Sequence, residues 1–225
     1  MFLLACTGGA VDTAPVQVDD TGPPRGAEQF ALPLADPSQF DTLVGMDHDP
    51  AVYSGAEQLI CLDRAERTWP HCYDEHDGSD YLLTGSWDAM AAGSVEVLAA
   101  ADGVVTSIED GNYDLCHGDP TTLENSCDGH EMIANHVIVE HPSGATSMYW
   151  HLMEGSVAVQ VGDEVACGDV LGKVGSSGNS SQPHLHFEVQ VDGEAIDPYA
   201  GPLSQEETWW IEQGHEDALP SAACP

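Results

Sequence analysis

A histidine pair near the end of the chain carries the clearest chemical signal in the sequence. Residues 183–191 read PHLHFEVQV and alternate between polar and apolar side chains. Because successive side chains of a strand point to opposite faces, this pattern predicts a β-strand with His184, His186 and Glu188 on one face and the apolar residues in the core. Two adjacent imidazoles could bind a metal, although histidines on the wet face of a sheet can also lack any function.

A second motif supplies further ligand types of the same kind. Residues 76–80 read HDGSD and place His76 and Asp80 in a short loop that contains glycine. Zinc binds imidazole nitrogen and carboxylate oxygen, and three protein ligands with an open fourth position are typical of catalytic zinc. His76, Asp80 and one histidine of the 183–191 strand would complete such a set. The two motifs together therefore predict a catalytic zinc site.

A third candidate is His151, which lies in the run YWHL at residues 149–152. Ser147, Tyr149 and His151 share one face of a predicted strand. His151 could therefore join the metal site, or it could be a surface histidine beside a buried Trp150. The presence of the other two motifs favours the functional interpretation.

The sequence predicts that short β-strands position these candidate residues. Runs of β-branched or alternating residues, separated by Gly and Asp turn signals, predict strands over residues 95–99, 103–108, 136–140, 146–152, 157–161, 170–174 and 184–191. Helical signal is confined to residues 88–92 and 206–213. No repeat of fixed period occurs, which argues against a solenoid or a propeller. The sequence predicts an all-β domain with short helical decorations.

The charge balance excludes nucleic acid as a partner. The 225 residues include 39 acidic and 4 basic side chains, for a formal net charge of −35. A polyanion would be repelled by such a chain, and the electrostatic attraction that drives nucleic-acid binding is missing. The acidic residues are spread along the chain, which is typical of a solvated surface.

The cysteines indicate an oxidising compartment. The chain has 7 cysteines, and the first, Cys6, stands apart from the rest. The remaining even number predicts three disulfides, because no short Cys-x-x-Cys spacing suggests a metal cluster. Six cysteines permit 15 connectivities. We favour the pairs Cys61 with Cys72, Cys116 with Cys127, and Cys167 with Cys224, of which the first two are close in sequence.

The first residues suggest a lipid-anchor motif followed by a tether. Residues 3–6, LLAC, have the form of a bacterial lipobox, which would make Cys6 the site of lipid attachment. The apolar run before it is shorter than the roughly 7–15 residues of a signal peptide, so either the start codon is placed late or the match is accidental. No stretch approaches the roughly 20 apolar residues of a membrane span.

Composition then divides the chain into three parts. Residues 7–45 are rich in Pro, Gly, Asp, Thr and Ala, a composition that predicts a disordered tether. We expect residues 1–45 to form a truncated signal, the lipobox and the tether, and residues 46–203 to form the catalytic domain. Residues 204–225 are expected to be an extension packed on that domain.

The motifs resemble those of the LytM/lysostaphin-type zinc endopeptidases. That family carries an early His-x-x-x-Asp, a later His before Leu and a terminal His-x-His, and all of these occur here in order. The resemblance extends over about residues 70–200 and includes AAADGVV at 99–105, GKVG at 172–175 and IDP at 196–198. More residues than usual follow the first motif, which indicates an insertion around residues 81–92.

The resemblance implies a fold and a set of roles. It implies antiparallel β-sheets that form a groove, of the lysostaphin-like, duplicated hybrid motif type, with one Zn²⁺ per chain. His76, Asp80 and His186 would be the zinc ligands. His151 and His184 would be the two catalytic histidines beside a water activated by the metal. Which of them is the base stays open.

The implied function is hydrolysis of amide bonds in peptidoglycan stem or cross-bridge peptides by a zinc endopeptidase. The protein would be a secreted monomer of the cell envelope, in the periplasm or on the outer surface, with or without a lipid anchor. One alternative is a non-catalytic LytM-like module that binds the wall or activates a separate hydrolase. Another is a related zinc peptidase that trims terminal D-amino acids.

Overall fold

Antiparallel strands make up most of the regular structure. The computed structural model describes residues 28–119, 124–215 and 218–225. Its strands are β1 Phe40–Val44, β2 Ser79–Leu83, β3 Glu96–Leu98, β4 Gly103–Glu109, β5 His117–Gly118, β6 Asn125–Ser126, β7 His136–Glu140, β8 Thr146–Trp150, β9 Glu164–Val165, β10 Val170–Lys173, β11 His184–Val191 and β12 Glu194–Ile196. An α-helix, α1, spans Ser86–Ala91, and short 3₁₀ helices span Pro37–Gln39 and Gly55–Leu59.

The large sheet contains eight strands and places β11 near its middle. The strand order is β1-β2-β11-β8-β7-β4-β9, and β12 also pairs with β11. Smaller sheets pair β3 with β10 and β5 with β6. All of these pairs are antiparallel. The predicted all-β fold class, with antiparallel sheets and little helix, is confirmed.

The alternating pattern of β11 determines which face of the large sheet forms the core. Leu185, Phe187 and Val189 are each 0% exposed. Leu185 lies opposite Tyr81 of β2, and Phe187 lies opposite Tyr149 of β8. Burying one such apolar side chain contributes about 1.5–3 kcal/mol. The core therefore holds β11 firmly in its register between β2 and β8.

Three local predictions differ from the structure. Val191 is only half-buried at the end of β11, rather than a core residue. Residues 157–161 form no strand, and Val161 is 61% exposed. Residues 206–213 form no helix, because their backbone groups bond elsewhere: the N–H of Trp209 donates to Pro198 O and that of Ile211 to Phe30 O. Tertiary hydrogen bonds have replaced the local ones that a helix needs.

Residues 28–45 belong to the packed structure rather than to a tether. Phe30, Leu32 and Leu34 are at most 1% exposed, and β1 pairs with β2. These apolar residues alternate along the chain, a weak signal that the neighbouring Pro and Asp residues obscured. Earlier residues, including Cys6 and the lipobox, lie outside the described residues. The packed structure therefore begins before the predicted boundary at residue 45, and the boundary at residue 203 stays a prediction.

Disulfides tie three parts of the chain. The bonded pairs are Cys61 with Cys72, Cys116 with Cys127, and Cys167 with Cys224, so the predicted pairing is confirmed. Near the end of the chain, Trp210 is 0% exposed and packs against Phe187 and Tyr199. Within the described ranges, no helix has the length and apolarity needed to cross a membrane.

Removing the disulfides one at a time should reveal different losses of stability. Cys116 and Cys127 close a loop with a sequence separation of 11, whereas Cys167 and Cys224 are separated by 57. In the chain-entropy model the longer loop contributes about 4 kcal/mol and the shorter about 3 kcal/mol. We expect the double variant Cys167→Ala/Cys224→Ala to lose more unfolding free energy in urea than Cys116→Ala/Cys127→Ala. Equal or reversed losses would contradict this ranking.

A buried histidine joins the core strands by a polar network. His141 is 3% exposed, and its Nδ1–H donates to Asp102 O at 2.8 Å. Its Nε2 lies 2.8 Å from Ser147 Oγ, which lies 2.9 Å from the hydroxyl of Tyr149. Burial lowers the pKa of His141 below 6.5, although the bond to Asp102 and the charge of Glu28 oppose this shift. The network therefore holds a neutral imidazole.

This burial predicts a pH-dependent contribution to stability. A histidine whose pKa is lower in the folded state than in the unfolded state takes up fewer protons when folded, so its contribution is present above pH 6.5 and is lost as pH falls below that value. His141→Gln should lower the unfolding free energy by about 1–3 kcal/mol at pH 8. The difference in unfolding free energy between His141→Gln and the wild type, measured by urea titration, should become smaller below pH 6.5. Parallel curves for the two proteins would contradict the assignment.

Candidate metal centre

Strand register brings two distant parts of the chain together. In the antiparallel pairing of β11 with β2, His186 lies directly opposite Asp80, and in the pairing with β8 it lies opposite Trp150. Cross-strand neighbours point to the same face of a sheet. His76 comes from the loop that leads into β2, so the first motif also reaches this face.

Three side chains converge there on one point. Asp80 Oδ1 lies 2.8 Å from His186 Nδ1 and 3.1 Å from His76 Nε2, and the two ring nitrogens are 3.2 Å apart. Ligands bound about 2.0–2.1 Å from a tetrahedral zinc lie roughly 3.3 Å from one another. The ligand atoms are thus spaced almost as zinc would require.

The hydrogen bonds of His76 provide an independent test of that fit. Its Nδ1 lies 2.7 Å from Gly45 O, so this nitrogen must carry a hydrogen and donate it. In the neutral ring the lone pair of Nε2 then faces the carboxylate oxygen of Asp80, 3.1 Å away. Two acceptors so close together need a proton or a cation between them. The donor set therefore fits a zinc ion.

Two further histidines lie beside the cluster. The Nδ1–H of His184 donates to Gln182 O at 2.7 Å, and that of His151 donates to Ser177 O at 2.7 Å. The Nε2 of His184 lies 3.5 Å from Asp80 Oδ1, and the rings of His151 and His184 are 4.6 Å apart. Backbone carbonyls therefore fix the tautomers of both rings and leave each Nε2 as an acceptor.

The backbone at His151 explains how its side chain reaches the site. Ser147 and Tyr149 are buried on the core side of β8, and strict alternation would send His151 there as well. Instead, β8 ends at Trp150 and His151 has a left-handed φ of 65°. The shared face predicted for these three residues therefore ends before His151. A strained residue of this kind costs about 1–3 kcal/mol.

The cluster shifts the pKa values of its members in opposite directions. Burial alone would raise the pKa of Asp80, but electrostatic interactions with His76 and His184 and hydrogen bonds from His186 and His76 outweigh it and hold that pKa well below 3.8. Burial would lower the pKa of His186, but its hydrogen bonds to the carboxylates of Asp80 and Glu188 raise that pKa to about 9. Asp80 therefore provides a carboxylate at neutral pH.

The pKa values of the two neighbouring histidines, His151 and His184, are both lowered. Burial, followed by the charges of His184 and His186, lowers the pKa of His151 to about 3. Burial also lowers the pKa of His184, although Asp80 opposes this shift. Both rings are therefore neutral near pH 7 and can accept a proton.

Sequence reasoning missed one residue of the site and left another unassigned. Tyr73 donates its hydroxyl to Asp80 Oδ2 at 3.2 Å, and its ring stacks on His76 with centroids 4.2 Å apart. No pattern in the sequence pointed to it. Glu188 Oε2 lies 3.5 Å from His186 Nε2, a position that the alternation along β11 allowed but did not require. Both residues hold the rings or carboxylate of the cluster in place.

Gly78 leaves room for the histidine that lies behind it. A Cβ atom at this position would lie 2.7 Å from Phe187 O and 2.8 Å from His186 Nε2. Both distances are shorter than real Cβ contacts, so any larger residue must displace β11 or the His186 ring. The glycine within the first motif is therefore a steric requirement of the site.

Gly78→Ala should consequently weaken metal binding. We expect the apparent zinc affinity, measured by competition with a chelating dye, to fall about 10- to 100-fold, as it does when partners of metal ligands are removed. Gly144→Ala is the control, because Gly144 has a left-handed φ of 89° and a Cβ there would meet nothing within 4 Å. The control should lose some stability and keep its zinc affinity. Unchanged affinity in Gly78→Ala would contradict the steric argument.

An antiparallel β fold with two imidazoles and a carboxylate at one point has the ligand set of a zinc metallopeptidase. The chain matches peptidase family M23 over residues 76–198. That match spans more than half of the chain, so the chain belongs to peptidase family M23. The resemblance to the LytM/lysostaphin-type peptidases is thereby confirmed.

Relatives of the chain carry names that describe different activities. The DD-carboxypeptidase/endopeptidase Mpg of Neisseria meningitidis serogroup B is 30% identical over 162 residues, which cover 71% of this chain and 30% of that protein. The murein hydrolase activator EnvC of Escherichia coli K12 is 32% identical over 146 residues, covering 60% of this chain and 28% of that protein. The chain thus matches less than a third of the length of either relative.

Among solved structures, the catalytic domain of lysostaphin from Staphylococcus simulans is 26% identical. The alignment covers 56% of this chain and 77% of that domain, with a TM-score of 0.39. The names of the relatives include both an enzyme and an activator. Family membership therefore establishes a peptidase fold, and the site must decide between the two activities.

Proposed function

We propose that the protein is a zinc-dependent endopeptidase that hydrolyses amide bonds in peptidoglycan stem or cross-bridge peptides. One observation carries the proposal: a ligand set of His76, Asp80 and His186 adjoins the two non-ligand histidines, His151 and His184, whose tautomers are fixed by backbone carbonyls. Family M23 membership supports the reaction class. Wall peptides as substrate follow from the names of the relatives.

In this proposal the three ligands would hold one zinc ion per chain. When bound, zinc supplies a Lewis acid that polarises the scissile carbonyl and makes water more acidic. His151 and His184 present neutral Nε2 atoms, so one can take a proton from water and later give it to the leaving amine. Once that ring has taken up the proton, its Nε2–H can donate a hydrogen bond to the developing oxyanion.

The proposed setting is the cell envelope. The disulfides require an oxidising compartment, and peptidoglycan lies in that compartment. The net charge of −35 repels polyanions, so nucleic acid is excluded as a partner. We propose that the protein acts there as a monomer. Lipid attachment at Cys6 stays a prediction, since that residue lies outside the described part of the chain.

The alternative is a wall-binding or hydrolase-activating module without catalysis of its own. The name of EnvC shows that an activator can be similar to this chain. Such a module needs neither a proton acceptor nor a metal with an open position. The name of Mpg joins endopeptidase with carboxypeptidase activity, so the test must also separate those two reactions.

The function can be tested on purified, cross-linked peptidoglycan. We expect about one zinc per chain by atomic emission and release of soluble fragments that a chelator abolishes and added zinc restores. An endopeptidase cleaves cross-linked muropeptides into monomers, whereas a carboxypeptidase only shortens free stem peptides and releases terminal D-amino acids. His186→Ala should lose zinc and all hydrolysis while remaining folded.

His215→Ala is the matched control, because His215 is an exposed histidine of the C-terminal segment. It should retain zinc and activity. Bound zinc without hydrolysis by the wild type, together with stimulation of a separate wall hydrolase, would overturn the enzyme in favour of the activator. Retention of zinc by His186→Ala would refute the ligand assignment.

A further inference from the structure

The loop closed by Cys116 and Cys127 packs against the segment that orients both non-ligand histidines. That segment, residues 175–182, contains Ser177 and Gln182, whose carbonyl oxygens accept the Nδ1–H of His151 and His184. Apart from isolated bridges at Gly175 and Ser176, the segment belongs to no strand or helix. Its shape must therefore be maintained by contacts with its surroundings.

The first set of contacts is made by the backbone of the disulfide loop. The N–H of Cys116 donates to Ser176 O at 3.1 Å, and that of Gly118 donates to Ser181 O at 2.9 Å. Leu115 also forms a parallel bridge with Ser176. The cystine thus lies beside both ends of the segment that carries the orienting carbonyls. Residues 120–123 lie outside the described residues.

A chain of hydroxyl groups continues from the loop to His184. Ser176 donates its hydroxyl to Cys116 O at 2.6 Å, and its Oγ lies 2.8 Å from Ser180 Oγ. Ser180 Oγ in turn lies 3.2 Å from His184 Nδ1 and 3.0 Å from Gln182 O. Both serines are at most 1% exposed. Because water cannot replace these buried bonds, movement of Cys116 would leave polar groups without partners.

His151 is oriented through Ser177, which follows Ser176 in the chain. The N–H of Asn135 donates to Ser177 Oγ at 2.9 Å, and Ser177 donates that hydroxyl to Leu152 O at 2.9 Å. The next residue, Gly178, packs closely against Ala134, since a Cβ at Gly178 would lie 2.7 Å from Ala134 N. Ser177 is therefore held between Asn135 and Leu152, the residue after His151.

We propose that the Cys116–Cys127 disulfide is a positioning element for His151 and His184, acting through Ser176, Ser177 and Ser180. This proposal rests on the proposed function, because the histidines act as proton acceptors only in an enzyme. Among the described residues, no hydrogen bond joins His76, Asp80 or His186 to this segment. Loss of the disulfide should therefore impair the orientation of the two rings and leave metal binding intact.

The test compares two disulfide variants. Cys116→Ala/Cys127→Ala should retain about one zinc per chain, and its hydrolysis of purified cross-linked peptidoglycan should fall about 10- to 100-fold, the range seen when outer partners of site residues are removed. Cys167→Ala/Cys224→Ala is the control, since that disulfide closes the longer loop. The control should lose more stability and retain full activity at a temperature where both variants are folded.

A spectroscopic measurement separates positioning from activity. In protein labelled with ¹⁵N-histidine, the Nδ1–H signals of His151 and His184 should be protected from exchange, because both donate to carbonyls. We expect these signals to persist in the Cys167/Cys224 variant and to broaden or vanish in the Cys116/Cys127 variant. This result can be obtained even if the wild type hydrolyses nothing, so failure of the proposed function and failure of this proposal are distinguishable.

Single serine variants test the hydroxyl chain itself. Ser176→Ala breaks the chain at its middle and should weaken protection of the His184 Nδ1–H and lower activity with zinc retained. Ser181→Ala is the control, because Ser181 lies in the same segment with an exposed side chain and contributes its backbone oxygen only. Unchanged ring signals in both the Cys116/Cys127 and Ser176 variants would overturn the proposal. So would loss of zinc from either of them.

Discussion

The register of β11 is the constraint on which the rest of the site depends. His186 meets Asp80 because the two residues are directly opposite in the antiparallel pairing of β11 with β2. A slip of one residue would turn every side chain of β11 to the other face and send the histidines into the core. The buried side chains of Leu185, Phe187 and Val189 prevent that slip, because each would have to become exposed. The hydrophobic core on the opposite face of the sheet thus fixes the positions of the candidate metal ligands.

Backbone carbonyls fix the tautomers of three histidines in the site. Gly45, Ser177 and Gln182 each accept an Nδ1–H, from His76, His151 and His184 respectively. A ring that donates at Nδ1 must present a lone pair at Nε2 when it is neutral. Loops that look irregular therefore decide the chemistry of the rings, and two disulfides close loops in this part of the fold: Cys61–Cys72 precedes His76, and Cys116–Cys127 contacts the 175–182 segment.

Sequence patterns predicted the features that depend on local periodicity. The alternation of residues 184–190 predicted β11 and its two faces, and the motif at residues 76–80 supplied two side chains that the structure brings to His186. The patterns did not predict the role of Tyr73, because its contact with Asp80 depends on the path of a loop. They also missed the packing of residues 28–45, whose few alternating apolar residues lie in a polar stretch. Contacts between distant segments leave no periodic signal in the chain.

The energetic cost of the two non-ligand histidines favours an enzyme over a binding module. His151 has a left-handed backbone, which costs about 1–3 kcal/mol for a residue with a side chain. Burial shifts its pKa to about 3 and also lowers that of His184, so the fold gives up the solvation of two imidazoles. A module that only binds would gain nothing from these arrangements, since apolar residues would fill the same space at lower cost. In the proposed function, proton transfer requires neutral rings with a lone pair at Nε2, and the structure maintains that state at the expense of stability.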